Sequence, residues 1–232
     1  AAAALAEFRA TMLNNPNRTM LGAEQEAWFA NALSQSKARG QTWQIVAQQL
    51  VMGEQVAPQG LSRLLPGDTA AGTRQWIAGA EQLGAQAMPW NLDSWGGYPA
   101  ARARLLAACA ERASNALVLG GDSHNCWVNN LAAADGRRLA ALEFAGGSVS
   151  SPGFERTLSA AGPGEREAMM RGANPELAWC DLSHRGYGVF KLTRGACEAE
   201  WVAFSDVRSP TAGAPSVSRL SAAASASSGP GA

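Results

Sequence analysis

"NALVLGGDSHNCW", residues 115–127, carries a short apolar run straight into Gly120-Gly121-Asp122-Ser123-His124. The run has the length and composition of a buried strand. It follows "PAARARLLAACAER", which Pro99 opens at a position where its missing N–H costs nothing. Leu105, Leu106, Cys109 and Ala113 give that helix an apolar stripe. Upstream, residues 21–38 read as an amphipathic helix with Leu21, Trp28, Phe29, Ala32 and Leu33 on one side, and Glu24 and Glu26 suit its first turn. "TWQIVAQQLVM", 42–52, follows as a strand, and "GTRQWIAGAEQL" reads as a short helix. Residues 53–72 and 88–99 read as loops. Helix and strand thus alternate over 21–121, which predicts an α/β or a layered α/β/β/α domain.

The second half changes character. "RRLAALEFAGGS" reads as a strand, and "AWCDLSHRGYGVFKLTR" and "CEAEWVAFSDV" as an antiparallel pair turning at Gly195. Residues 210–232 are rich in Ala, Ser, Gly and Pro and are expected to form a flexible tail.

Composition narrows the function classes. With 19 basic and 19 acidic residues the net charge is zero, so charge gives no argument for nucleic acid or a membrane surface. Cys109, Cys126, Cys180 and Cys197 are widely spaced, form no C-x-x-C, and are expected to be buried free thiols. No apolar stretch approaches the roughly 20 residues of a spanning helix. The opening "AAAALAEFRATML" lacks the basic start and long apolar core of a signal peptide and reads as a helix already under way. The chain is therefore expected to begin inside a longer protein.

The Gly-Asp-Ser-His stretch holds one of only two histidines and supports three readings. It is good turn chemistry in its own right. It also resembles the nucleophile block of the GDSL/SGNH esterases, in which Ser123 would attack with Asp181 and His184 of a later Asp-x-x-His as orienter and base. Against that stand the hundred-odd residues before the block and the strand-like setting of Asp181 and His184. Third, Asp122 and His124, two apart on an extended segment, would face one point as carboxylate and imidazole metal ligands.

The third reading gains from resemblance across the chain. "LVLGGDSHNCWVNNL" resembles the Gly-Asp-x-His-x-x-Trp block of PhoD-like alkaline phosphatases, a branch of the metallophosphoesterases. "RTMLGAEQEAWFANAL", "TWQIVAQQLVMG", "DSWGGYPAARARLL", "LEFAGGSVSSPGFE", "NPELAWCDLSHRGYGVFKLT" and "CEAEWVAFSDV" resemble further blocks of that family, in order, over about residues 15–210. The resemblance implies a calcineurin-like α/β/β/α sandwich, of which residues 1–209 would be the C-terminal part. It implies hydrolysis of phosphomonoesters and phosphodiesters, small or polymeric, at a centre of iron and calcium, with other divalent metals as alternatives, in a periplasmic or extracellular bacterial enzyme. Asp122 and His124 match the family's late metal-binding motif, and His124 alternatively faces substrate. Asn125 matches a residue beside them. Gln48 and Gln49 stand where related enzymes place a ligand, which gives them a supporting or substrate-contacting role or, equally, a capping role for backbone groups. Ser123, Asp181 and His184 become structural. The family's upstream ligand blocks do not occur in the chain, so on its own it is expected to show little or no turnover. Two departures stand out: Gly96 replaces an acid, which leaves room for a non-catalytic, binding-only domain, and Cys126 replaces a small residue and is read as packing.

Overall fold

The computed structural model describes residues 2–136, 138–209 and 215–223. Helix α1 (Ala2–Phe8) runs into a π-turn over Arg9–Leu13, and α2 spans Ala23–Ala38. Strand β1 (Gln44–Ala47), α3 (Ala71–Gly84), α4 (Pro99–Arg112) and β2 (Ala116–Gly120) follow. Next come β3 (Cys126–Ala132), β4 (Leu139–Ala145), the single turn α5 (Phe154–Thr157) and α6 (Pro163–Ala173). The chain ends in β5 (Leu177–Asp181), β6 (Arg185–Leu192), β7 (Ala196–Phe204) and β8 (Ser216–Ala223).

These strands form two sheets. The first has the order β1-β2-β4-β3-β5, with β1, β2 and β4 parallel and β3 antiparallel to both its neighbours. The second is an antiparallel β6-β7-β8 meander. Period-2 alternation sorts the first sheet's side chains. Leu117, Val128 and Phe144 turn toward Cys197, Ala199 and Trp201 of the second sheet, where Phe144, Phe190, Trp179 and Trp201 stack with centroids 5.2–5.8 Å apart. Val118, Leu131 and Ala141 turn the other way, onto Leu105, Leu106 and Cys109 of α4. Three layers of the expected α/β/β/α order are therefore present among the described residues: helices, first sheet, second sheet.

The alternation of helix and strand over 21–121 is found, and so is the apolar stripe of α4. Several boundaries move for physical reasons. The strand expected over 42–52 stops at Ala47, because the Gln48 side chain turns back to bond both the N–H and the carbonyl of Leu50. The strand expected across 178–194 is two strands in different sheets. Asp181 Oδ1 accepts from the amides of Ser183 and His184, and this turn breaks the run. Strand β3 and helix α6 were not foreseen. Trp28 is 64% exposed, not part of the buried side of α2, because five residues rotate it about 140° from Leu33. Of the expected tail, 216–223 is β8, paired along its length with β7. Residues 210–214 and 224–232 lie outside the described residues.

One buried acid ties the first sheet to the loop above it. Glu143, in the middle of β4, is fully buried. Its carboxylate accepts from the Met52 amide at 2.5 Å, the Gly53 amide at 2.8 Å and Asn129 Nδ2 at 2.8 Å. Burial pushes its pKa up, and these N–H donors with the nearby Arg102 oppose that push. Arg102, itself bonded to the Met52 carbonyl, pairs with Glu176. Gly53 is required here, since a Cβ would meet the Asn129 amide at 2.3–2.6 Å. Glu143→Gln turns an NH₂ toward amide donors. It should cost about 2–4 kcal/mol in a urea melt, through donors left without an acceptor.

All four cysteines are free and buried, as expected. Burial pushes Cys109 and Cys180 up to about 12, and Cys126 up to about 11 with help from Asp181. An unfolded thiol ionises near 8.5. Between that value and about 11 the unfolded chain sheds protons that the folded chain keeps, so stability falls as pH rises through this window. Thiol-alkylation rates at pH 8.5 should track global unfolding, and urea midpoints should drop between pH 8.5 and 11.

Candidate metal and phosphoester site

The connection from β2 to β3 is not a hairpin. Strand β4 occupies the place between them, so residues Gly121–Asn125 arch across the end of β4. Two strand spacings, roughly 10 Å, must be crossed by five residues. The arch does this by turning sharply: Asp122 and His124 both adopt left-handed backbone, at φ 65° and 62°. Asp and His are among the non-glycine residues that tolerate this region, and a β-branched residue would not. The extended geometry expected for 122–124 is thus replaced by a double left-handed turn. Gly146 and Gly147 let β4 pass beneath. The Gly146 amide donates to the Gly120 carbonyl at 3.0 Å, and a Cβ on Gly147 would meet Cys126 Sγ at 2.9 Å.

The serine in the arch is committed to it. Ser123 Oγ accepts from the buried Trp127 indole N–H and donates to the Asn125 carbonyl at 3.2 Å. His184 is paired with Asp181 at 2.9 Å, as an esterase reading would want. Among the described residues, however, no hydrogen bond joins His184 to Ser123, whose hydroxyl is bonded to Trp127 and Asn125 instead. The nucleophile–base contact on which a serine hydrolase depends is missing, and the turn role of Ser123, Asp181 and His184 is the one the geometry shows.

Asp122 and His124 instead project from the carboxyl edge of the parallel strands, the edge where open α/β sheets hold ligands. Both are exposed. Among the described residues no hydrogen bond engages the Asp122 carboxylate. The His124 ring is held at one nitrogen only: Nδ1 lies 3.0 Å from the Pro152 carbonyl. A carbonyl only accepts, so Nδ1 carries a proton, and in the neutral ring that leaves the lone pair on Nε2. This is the tautomer that metal-binding imidazoles adopt. Carboxylate and imidazole suit iron, manganese or zinc. Among the described residues no group of three His, Cys, Asp or Glu side chains converges, so Asp122 and His124 do not by themselves make a metal site.

Behind His124 stands a buttress that the sequence did not disclose. Buried Arg185, the first residue of β6, donates to the His124 carbonyl and pairs with Glu155. Glu155 in turn accepts from the Gly153 amide at 3.0 Å. Asn125, 2% exposed, donates to the Ser123 carbonyl at 2.8 Å and accepts from the Phe154 amide at 3.1 Å. Asn125 therefore acts beside the site by fixing the arch to the 150–155 loop. Gly153 sits inside this network, where a Cβ would meet Asn125 Oδ1 at 2.3 Å and the Arg185 guanidinium at 2.9 Å. The only sequence signal for Arg185 and Glu155 was charge placed next to glycine, in Arg185-Gly186 and Gly153-Phe154-Glu155.

The glutamines divide. The Gln48 carboxamide is consumed in structure, bonding Leu50 and accepting from the Trp95 indole at 3.0 Å. Of the two roles weighed for it, capping is the one present. Gln49 is exposed, and its carbonyl accepts from the Gly121 amide at 2.9 Å, which places its side chain at the same edge as the arch. Gly96 faces elsewhere: a Cβ there would meet Pro89 at 2.9 Å, and the small cavity it borders includes Arg9, Glu54 and Pro99 but not Asp122. The loss of an acid at 96 takes no group from the arch. Asp122 and Ser123 do border a separate cavity of about 300 Å³, lined also by Gln55, Trp76, Trp90, Asn91, Ser94 and Phe154.

Comparisons with known proteins bear on the family and the fold. A family model described as "PhoD-like phosphatase" matches residues 3–201. Alkaline phosphatase D of Bacillus subtilis (strain 168) is 33% identical over 144 residues, which is 60% of this chain and 20% of that protein. The chain thus spans about a fifth of the length of this relative. A solved structure, "Structure of PhoD", superposes with a TM-score of 0.61 at 23% identity, covering 90% of this chain and 34% of the other, and it shows the shared fold. With the family model matched over most of its length, the chain belongs to the PhoD-like phosphatase family.

Proposed function

We propose that this chain contributes Asp122 and His124 as ligands to a metal centre that hydrolyses phosphate esters, monoesters or diesters. The observation that carries the reading is the 3.0 Å contact of His124 Nδ1 with the Pro152 carbonyl, two residues along the arch from an Asp122 carboxylate that no hydrogen bond engages among the described residues. Iron and calcium are the metals that the family resemblance implies, and export from the cytoplasm belongs to the same reading. The remaining ligands come from outside the described residues.

Asp122 and His124 would be among the residues holding such metals, which when bound would supply acidification of water and charge stabilisation at the phosphate oxygens. The chain's own part is positional. Asp122 brings negative charge to the strand edge. His124 presents one fixed nitrogen, with its carbonyl clamped by Arg185 and its ring by Pro152. Gln49 stands at the same edge with its carboxamide open to substrate oxygens. No protein nucleophile is needed, which accords with a Ser123 hydroxyl already engaged by Trp127 and Asn125.

Two histidines in the whole chain make a clean test. Titration with Mn²⁺ should broaden the His124 imidazole proton signals ahead of those of His184, and Asp122→Ala should abolish the difference. Equal broadening of both rings, or of neither, would sink the reading. In hydrolysis of p-nitrophenyl phosphate and its bis ester with iron and calcium added, the chain alone should turn over little or not at all. Robust turnover unaffected by Asp122→Ala would place the chemistry elsewhere. Gly153→Ala, which drives a methyl into Asn125 and Arg185, should weaken Mn²⁺ binding roughly 10–100-fold, the range for lost ligand support, without touching either ligand.

A further inference from the structure

The 300 Å³ cavity beside Asp122 is walled by Trp76, Trp90 and Phe154, with Trp90 and Phe154 edge to face at 5.9 Å. Its volume is at the small end for ligand sites, enough for one ring. Two observations separate it from ordinary surface relief. Trp76 is 49% exposed, leaving an indole face open at the mouth. Gln55 is 7% exposed, yet its side-chain amide Nε2 is buried with no hydrogen-bond partner among the described residues. Buried amide donors are rarely left unmatched, and Gln55 is one of the residues that line the cavity. Asp122 and Ser123 form one edge of the same space, so a group seated in it lies directly next to the strand edge that holds the metal-ligand pair.

We infer that this cavity is the leaving-group subsite, and that it selects esters whose alcohol carries a planar ring with a hydrogen-bond acceptor, an aryl or nucleobase-like moiety. The inference rests on the proposed phosphoester reading for its orientation, since it places the phosphate at Asp122 and the ring between Trp76 and Trp90. Gln55 Nε2 donates to the ring's acceptor. The aromatic walls contribute stacking and edge contacts, which a flat ring satisfies and an open-chain polyol does not.

The test is direct binding to the 232-residue chain, read from the indole N–H signals of Trp76 and Trp90 and assigned with Trp76→Phe and Trp90→Phe. The probes are p-nitrophenyl phosphate, 4-nitrobenzyl alcohol (the ring without phosphate), ribose 5-phosphate (a ring that is not planar) and glycerol 1-phosphate. Both nitroaryl probes should move the two indole signals. The two sugar and polyol phosphates should bind roughly tenfold or more weakly, the scale of one aromatic stack. Trp76→Ala, at an exposed position, should lower nitroaryl affinity by a similar factor. Gln55→Leu should remove the preference for p-nitrophenyl over plain phenyl phosphate. Ring-free probes that match the nitroaryl ones, or nitroaryl probes that leave both indoles unmoved, would overturn the subsite. Binding of 4-nitrobenzyl alcohol does not require a metal, so it survives if the hydrolase reading fails in the Mn²⁺ titration, and the two failures are distinguishable.

Discussion

Strand β4 lies between β2 and β3, and most of the site's geometry follows from that placement. A direct hairpin from β2 to β3 would have needed only a tight turn. With a strand inserted between them, the connection must arch over that strand's end while it reverses direction. Two left-handed residues, Asp122 and His124, make the sharp turns of that arch. The backbone strain therefore falls on the two residues proposed as ligands. Left-handed conformations at non-glycine residues cost of order 1–3 kcal/mol each and persist only where the surroundings over-determine them. Here the surroundings are the Trp127 indole on Ser123, the Asn125 bridge and the Arg185 clamp.

What the sequence revealed and what it hid divide along chain distance. The apolar run 116–120, the Pro99 start of α4 and the acid–imidazole pair at the strand end are local features, and local physics fixes them. The arch itself was hidden, because nothing in "GGDSHNCW" states that a later strand will pass beneath it. Arg185 acts on a residue 61 positions away and Glu155 on Arg185 30 positions away, so neither has a local signature. Glu143 offered one: a lone acid inside "LAALEFA" must either face water or find donors, and it found three. The strand at 216–223 escaped notice because Ala and Ser hide its alternation. Only Val217 and Leu220 mark its two faces, and Leu220 alone reaches the core.

The cavity and the arch are also connected through the 150–155 segment. Pro152 holds the His124 ring and Phe154 walls the cavity at Asp122, while the amide of Phe154 is bound by Asn125. One short loop thus touches a candidate ligand, a candidate substrate wall and the arch between them. The run of Ser148 to Phe154 reads as an unremarkable turn in isolation. Its Ser148 hydroxyl is spent on the amides of Ser150 and Ser151, which keeps the loop in one conformation.

Arg185 also has a bearing on biosynthesis. It is the first residue of the second sheet, yet its guanidinium closes over a carbonyl in the first. Until the chain has been synthesised through β7, which pairs with β6 and seats Trp201 against Phe144, the arch lacks its clamp. A nascent or partly unfolded chain then exposes Asp122 and His124 without holding them in a common geometry, and a metal ion meeting it finds no preorganised donors. On the proposed ligand assignment, metal capture becomes a late event, conditional on the docking of two sheets, and premature mismetallation of the growing polypeptide is disfavoured by the order in which its parts come together.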